Sequence, residues 1–190
     1  MILEVVQYGH PALRQKGARI ATITPEIQKL VEDMFETMRA AKGVGLAAQQ
    51  IGRALQLTVI DVRGATDRPS TIQINGKEAD VGASMPLVLI NPEVKAAGDP
   101  EAGTEGCLSF PEIYGEVKRA GKAEVSATNS QGETIEFSCG GLLARAIQHE
   151  LDHLNGVLFI DRMSRAEKEE LKPQLEELQA KTKAALKAAK

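Results

Sequence analysis

The tightest constraint on the fold is a run of apolar residues at helical spacing. Ile27, Leu30, Val31, Met34, Phe35 and Met38 recur every three or four positions between residues 24 and 43, as one buried stripe of a helix requires. A stripe this regular needs a core to lie against. Thr24 supplies a hydroxyl cap, Pro25 occupies the first turn, where its missing N–H costs nothing, and Gly43 stands where a left-handed stop is expected. Leu55 to Val62 and Pro86 to Asn91 then read as short buried strands, and the polar stretch from Arg63 to Ser84 between them holds a hairpin or a long loop. From Lys122 to Ser138 two alternating segments flank Asn129-Ser130-Gln131-Gly132, the pattern of a hairpin with one buried face. A second helix spans about Gly141 to Asn155 with Gly156 as its stop, and Val157 to Asp161 reads as a strand. Ser164-Arg165-Ala166-Glu167 is a capping box that opens a charged C-terminal helix, which Pro173 is expected to kink or divide. Strands and helices do not alternate strictly. The order therefore predicts an α+β fold with mainly antiparallel sheet rather than a doubly wound parallel one.

A chain of 190 residues buries roughly 70% of its unfolded surface and needs neither disulfides nor a structural metal. A metal site would be chemical. The net charge of −3 provides no basic footprint, which argues against DNA as a partner. Met1-Ile2-Leu3-Glu4 lacks the basic and apolar regions of a leader, and no apolar run is long enough to span a membrane, so a cytoplasmic protein is expected. In that compartment Cys107 and Cys139 stay reduced.

The chemistry is concentrated in His149-Glu150-Leu151-Asp152-His153, which uses two of the chain's three histidines. On a helix, His149 and His153 fall on one face, close enough to share a metal ion. Glu150 is turned away from that pair and can serve as general base toward a water at an open coordination position. A catalytic metal usually takes three protein ligands. A metallopeptidase would draw the third from a downstream glutamate, for which Glu167, Glu169, Glu170, Glu176 and Glu177 are available, although they read as a solvated helical face. Cys107, within Glu105-Gly106-Cys107-Leu108-Ser109, is the better-placed donor, because small neighbours let the backbone approach a metal. Cys139 has no such neighbourhood and reads as a buried apolar filler. His10, before Pro11, reads as a turn residue. Gly43-Val44-Gly45-Leu46-Ala47-Ala48-Gln49-Gln50 matches no phosphate-binding pattern and by itself is a helix stop followed by an apolar turn.

Together, Gly43-x-Gly45-Leu46-Ala47-Ala48-x-Gln50, Glu105-Gly106-Cys107-Leu108-Ser109 and Gln148-His149-Glu150-x-Asp152-His153 resemble the three motifs of the bacterial peptide deformylases, in the same order. Gly9-His10-Pro11-Ala12-Leu13-Arg14 and Gly156-Val157-Leu158-Phe159-x-Asp161 extend the likeness, which covers about 160 residues. The resemblance implies a hydrolase that removes the formyl group from the formyl-methionine of nascent polypeptides. It implies a fold of antiparallel sheets around a central helix carrying the H-E-x-x-H motif, flanked by N- and C-terminal helices. Cys107, His149 and His153 would be the metal ligands, Glu150 the general acid and base, and the Gln50 amide and Leu108 N–H the oxyanion donors. Val44, Leu142 and Ala146 are the expected methionine pocket, and the peptide would pair as an added strand near Val44 and Gly45. The ligands alone suggest zinc. The resemblance implies Fe2+, with Ni2+, Co2+ or Zn2+ able to substitute. Residues 1–164 are expected to be the catalytic domain and 165–190 its C-terminal helix and basic tail. That tail carries Lys181, Lys183, Lys187 and Lys190 without an acid among the last ten residues, which suits docking to the ribosome as well as a solvated terminus. The reading that competes with a deformylase is a zinc metallopeptidase with a downstream glutamate ligand.

Overall fold

A computed structural model of the chain describes residues 1–190. The apolar stripe forms α1 (Pro25–Ala40), capped by the Thr24 hydroxyl, which accepts from the Ile27 N–H at 3.3 Å. Its stop comes one residue before the expected glycine. Lys42 takes the left-handed conformation, with φ 57°, and the Gly43 N–H closes the turn on the Met38 carbonyl at 2.9 Å. Gly43 meets a different need, since a β-carbon there would lie 2.8 Å from Leu108 Cδ1.

The remaining elements are β1 (Gly45–Ala47), β2 (Leu57–Ile60), β3 (Ser70–Ile74), β4 (Lys77–Ala79), the single turn α2 (Val81–Ser84), β5 (Leu87–Cys107), β6 (Phe110–Thr128), β7 (Thr134–Gly140), α3 (Gly141–Leu154) and α4 (Arg165–Ala188). The fold is α+β. The strands run in the order β1-β2-β5-β6-β7-β3-β4, and every pairing is antiparallel. Arg63 to Ser84 contains the β3–β4 hairpin, whose turn residues Asn75 and Gly76 both have positive φ, 53° and 74°, as a type I′ turn demands. The hairpin read around Asn129 joins β6 to β7, and the Asn129 side chain accepts from the N–H groups of Gln131 and Glu133.

In place of separate sheets, the ladder is continuous. β5 and β6 are 21 and 19 residues long, and register shifts at Ile90/Glu93, Ala97/Pro100 and Gly106/Cys107 bend the pair. The curved ladder surrounds α3, which packs against β1, β2, β3, β5, β6 and β7. Alternation along β2 divides the core. Leu57 and Val59 join Met34 and Met38 of α1, while Ile60 packs with Leu143 and Ile147 of α3. A helix enclosed in this way is buried nearly all round, and α3 accordingly buries Arg145, His149, Glu150, Asp152 and His153 along with its apolar residues.

Two expectations about the C-terminal part are corrected. Val157 to Asp161 is not a strand: Phe159–Arg162 forms a short 3-10 helix. Leu158, Phe159 and Ile160 are buried in a cluster with Leu13, Leu175 and, from β6, Phe110, so the apolar run packs against the sheet without pairing as one of its strands. Asp161 accepts from the Leu158 N–H at 2.9 Å and pairs with Arg14. Pro173 also fails to divide the last helix, which continues through it. The residue is exposed, and water can take the carbonyl that a proline leaves free.

The start of α3 depends on one glycine. Gly141 has φ 64°, and a β-carbon there would lie 2.2 Å from the Pro69 carbonyl oxygen. That carbonyl accepts from the Leu142 N–H at 2.9 Å, and Ser70 Oγ accepts from the Leu143 N–H at 3.0 Å, satisfying donors that a helix start leaves free. Gly141→Ala is expected to reduce stability by more than about 1 kcal/mol, measured as a lower urea midpoint at unchanged slope.

Candidate active site

Three chain segments converge on the interior face of α3. His149 and His153 lie one turn apart, their ring centroids 5.0 Å from each other. Cys107 ends β5, and the two-residue turn Leu108-Ser109 returns the chain into β6. Cys107 Sγ is 3.3 Å from His153 Nε2, and ligand atoms of Cys107, His149 and His153 all lie within 4.8 Å of one another. One thiolate and two imidazoles at this spacing fit a single divalent cation of borderline softness. The downstream glutamates are elsewhere. Glu169, Glu170, Glu176 and Glu177 are exposed on α4, and Glu167 accepts from the Glu116 N–H.

The loop after α1 brings in the third segment. Gln50 is buried, and its Oε1 accepts from the Ala47 N–H at 2.9 Å, which fixes the amide so that Nε2 donates to Cys107 Sγ and to Ser109 Oγ, both at 3.3 Å. Gly45 approaches Glu150 so closely that a β-carbon would lie 2.6 Å from Glu150 Oε1. Val44, Gly45, Leu108, Leu142 and Ala146 line one cavity of about 540 Å³ with Gln50, Cys107, His149 and Glu150. A larger, shallower groove of about 630 Å³ on the sheet surface, near Gln73, Glu93 and Glu124, holds none of these residues. His10 caps a short 3-10 turn by accepting from the Ala12 N–H, and buried Cys139 points its thiol at the Ala123 carbonyl.

Sequence patterns do not disclose the ion network behind the histidines. Glu105 Oε1 pairs with His149 Nδ1 at 2.8 Å, which turns the other ring nitrogen of His149 toward Cys107 and His153. Glu105 also accepts from Arg119 through both oxygens, at 2.7 and 2.9 Å, and from Arg145 at 2.8 Å. Arg119 donates in turn to Asp152, and Arg162 reaches Asp152 from the surface side. Glu105 and Asp152 lie inside motifs already singled out, and Arg145 is one turn before His149. No local pattern marks Arg119.

This network sets the charges. Burial pushes the Glu105 carboxyl up, but its bonds to Arg119 and His149 win and hold it well below the usual carboxylate range. Glu150 has no cationic hydrogen-bond partner, and burial outweighs the pull of the His149 and Arg119 charges and pushes it up to about 7. Burial and the charge on His149 keep His153 neutral, the form that ligates metal. Burial disfavours the charged form of His149 too, but its bonds to Cys107 and Glu105 outweigh that and raise its basicity. A cation at the inward nitrogen would replace that proton. Because the partner of a ligating histidine sets both its orientation and its basicity, Glu105→Gln is expected to weaken zinc affinity about 10–100-fold, measured by chelator competition on protein whose fold is verified by circular dichroism.

The comparisons agree with this geometry. The sequence model of the polypeptide deformylase family matches residues 2–169. The peptide deformylase of Methylacidiphilum infernorum is 47% identical over 178 residues, covering 94% of this chain and 93% of that protein. That of Opitutus terrae is 41% identical over 189 residues, with 98% of each chain covered. Among solved structures, the peptide deformylase of Synechococcus elongatus in complex with actinonin superposes with a TM-score of 0.76 at 40% identity, covering 94% of this chain and 86% of that one. The Legionella pneumophila peptide deformylase gives 0.79 at 35% identity, covering 100% and 99%. On sequence, fold and the convergence of Cys107, His149 and His153, the chain belongs to the polypeptide deformylase family.

Proposed function

We propose that this protein hydrolyses the formyl-methionyl amide at the N-terminus of nascent polypeptides, releasing formate. The observation that carries this reading is the meeting of a Cys-His-His donor set, a buried carboxyl without a fixed counter-charge and an oriented amide in one cavity. Cys107, His149 and His153 would hold one divalent cation, which when bound supplies Lewis-acid polarisation and lowers the pKa of water. We assign Fe2+ to the site, following the family resemblance, with Ni2+, Co2+ or Zn2+ as substitutes that the same donors accept.

Glu150 takes a proton from the attacking water as its oxygen adds to the formyl carbon, and returns it to the amine as the C–N bond breaks. The products are formate and a free N-terminal amine. Charge develops on the former formyl oxygen, where the Gln50 Nε2–H and the Leu108 N–H donate; one such donor is commonly worth about 3–4 kcal/mol. The Ala47 N–H holds the carbonyl end of Gln50, so Nε2 stays in place while one of its two N–H groups exchanges Cys107 Sγ or Ser109 Oγ for the oxyanion. The methionine side chain occupies the cavity beside Val44, Leu142 and Ala146. The peptide backbone pairs as an added strand with Val44 and Gly45, at β1, which is the terminal strand of the ladder. Residues 1–164 act as the catalytic domain and 165–190 as its C-terminal extension. No helix is long and apolar enough to cross a membrane, and a protein that works on nascent chains is assigned to the cytoplasm.

Formate release from a formyl-Met peptide, by protein purified without oxygen and loaded with Fe2+ or Ni2+, tests the reading. Release is expected from the wild type and its loss from Glu150→Ala. A wild type that retains metal but releases no formate would overturn it. The exposed lysines Lys181, Lys183, Lys187 and Lys190 are proposed to dock on the ribosome through phosphate contacts. Truncation after Ala180 should then reduce cosedimentation with ribosomes at low salt while formate release persists.

A further inference from the structure

The cavity beside Glu150 has a closed end and an open end. Five consecutive residues, Ala41 to Gly45, line one wall, and exposure falls along them. Ala41 and Lys42 are exposed, Gly43 and Val44 half-buried, and Gly45 buried against Glu150. A peptide with its formyl end at Glu150 therefore leaves past Lys42. Lys42 and Gly45 are three chain steps apart, at most roughly 10 Å at about 3.3 Å per extended residue. That is the reach of the second or third residue after the formyl-methionine.

Two exposed cations line this cavity, Lys42 and Arg68. Neither takes part in an ion pair within the chain. Both are placed by firm backbone features. Lys42 is the left-handed stop of α1. Arg68 precedes Pro69 and Ser70, the two residues that accept from the first N–H groups of α3, so its backbone is tied to the helix that carries the histidines. The other charged residues of the lining differ. Glu105, Arg145, His149 and Glu150 are buried, and Glu112 is the one exposed acid. The exposed part of the lining thus offers two free cations against a single carboxylate.

We infer that Lys42 and Arg68 make this protein selective for formyl-Met chains that carry aspartate or glutamate two or three residues after the methionine. The inference rests on the formyl-peptide reading and adds a substrate class to it. Exposed ion pairs are individually weak and salt-sensitive, so the selectivity is modest and appears in kcat/KM.

The test compares formyl-Met-Ala-Glu-Ser amide with its Gln and Lys counterparts, the amide removing the terminal carboxylate. At low ionic strength the Glu peptide is expected to exceed the Lys peptide by about fivefold in kcat/KM, and the ratio should fall toward unity at about 0.5 M salt. In the double variant Lys42→Glu, Arg68→Glu the order should invert, and Glu112→Gln should widen the wild-type preference. A ratio between peptides is independent of how much of each preparation is active. Equal kcat/KM for the three peptides, or a preference that survives in the double variant, would overturn the inference and leave the proposed function standing. Turnover of none of them by metal-loaded wild type would overturn the proposed function itself, and this inference with it.

Discussion

The structure turns on the paired contact between Arg119 and Glu105. Both side chains are 5% exposed, and taking two charges out of water is unfavourable unless every lone pair and proton finds a partner. Here the compensation is dense. Glu105 accepts from Arg119, Arg145 and the His149 ring, while Arg119 donates onward to Asp152. Glu105 belongs to β5, Arg119 to β6, and Arg145, His149 and Asp152 to α3, so one charge network joins the enclosed helix to the two longest strands. Apolar residues of the same volume could pack as well or better. They could not fix the ring of His149, and that role gives a physical reason for placing charge in this part of the core.

Close backbone approach does the rest of the assembly. Gly45 lets the loop after α1 come against Glu150, Gly43 makes room for Leu108, and Gly103 leaves space where a β-carbon would lie 2.9 Å from the Arg145 guanidinium carbon. Each of these glycines faces a group of the site or of its supporting network. The glycines of the motifs are thus explained by neighbours distant in sequence, which also accounts for Gly43 not being the residue in the left-handed conformation. Lys42 takes that strain, and it is also one of the exposed residues that line the cavity.

What is legible in the sequence is whatever repeats along the chain or gathers within a few residues. The stripe from Ile27 to Met38, the hairpin at Asn129, the Gly156 stop and the His149–His153 pair are local patterns, and the structure forms each of them. The convergence of Cys107 with that pair, 46 positions from His153, needs three short motifs taken together. Arg119 is invisible because it sits in an alternating strand among exposed charges, Glu116, Lys118 and Lys122, with nothing to show that it points inward. The length of β5 is hidden for the related reason that much of Glu93 to Glu101 is exposed. A ladder wet on one side and rich in Gly, Pro and Ala lacks the apolar run that marks a buried strand. Val157 to Asp161 misleads in the opposite direction, since an apolar run reports burial and not conformation.

The two buried carboxyl groups of the cavity, Glu105 and Glu150, have been given opposite properties. Glu105 is surrounded by cationic donors that hold it ionised, and a permanently charged group can orient a histidine but cannot carry a proton. Glu150 is equally buried yet has an oxygen, Oε2, with no hydrogen-bond partner, and burial pushes its carboxyl up to about 7. A nearby cation would draw that value down and an oxyanion in the cavity would raise it again. A group poised between the two can therefore accept a proton early in a hydrolysis and release it late. The difference is produced by placement alone: Arg119 and Arg145 are directed at one carboxyl, and Gly45, with no side chain, is set against the other.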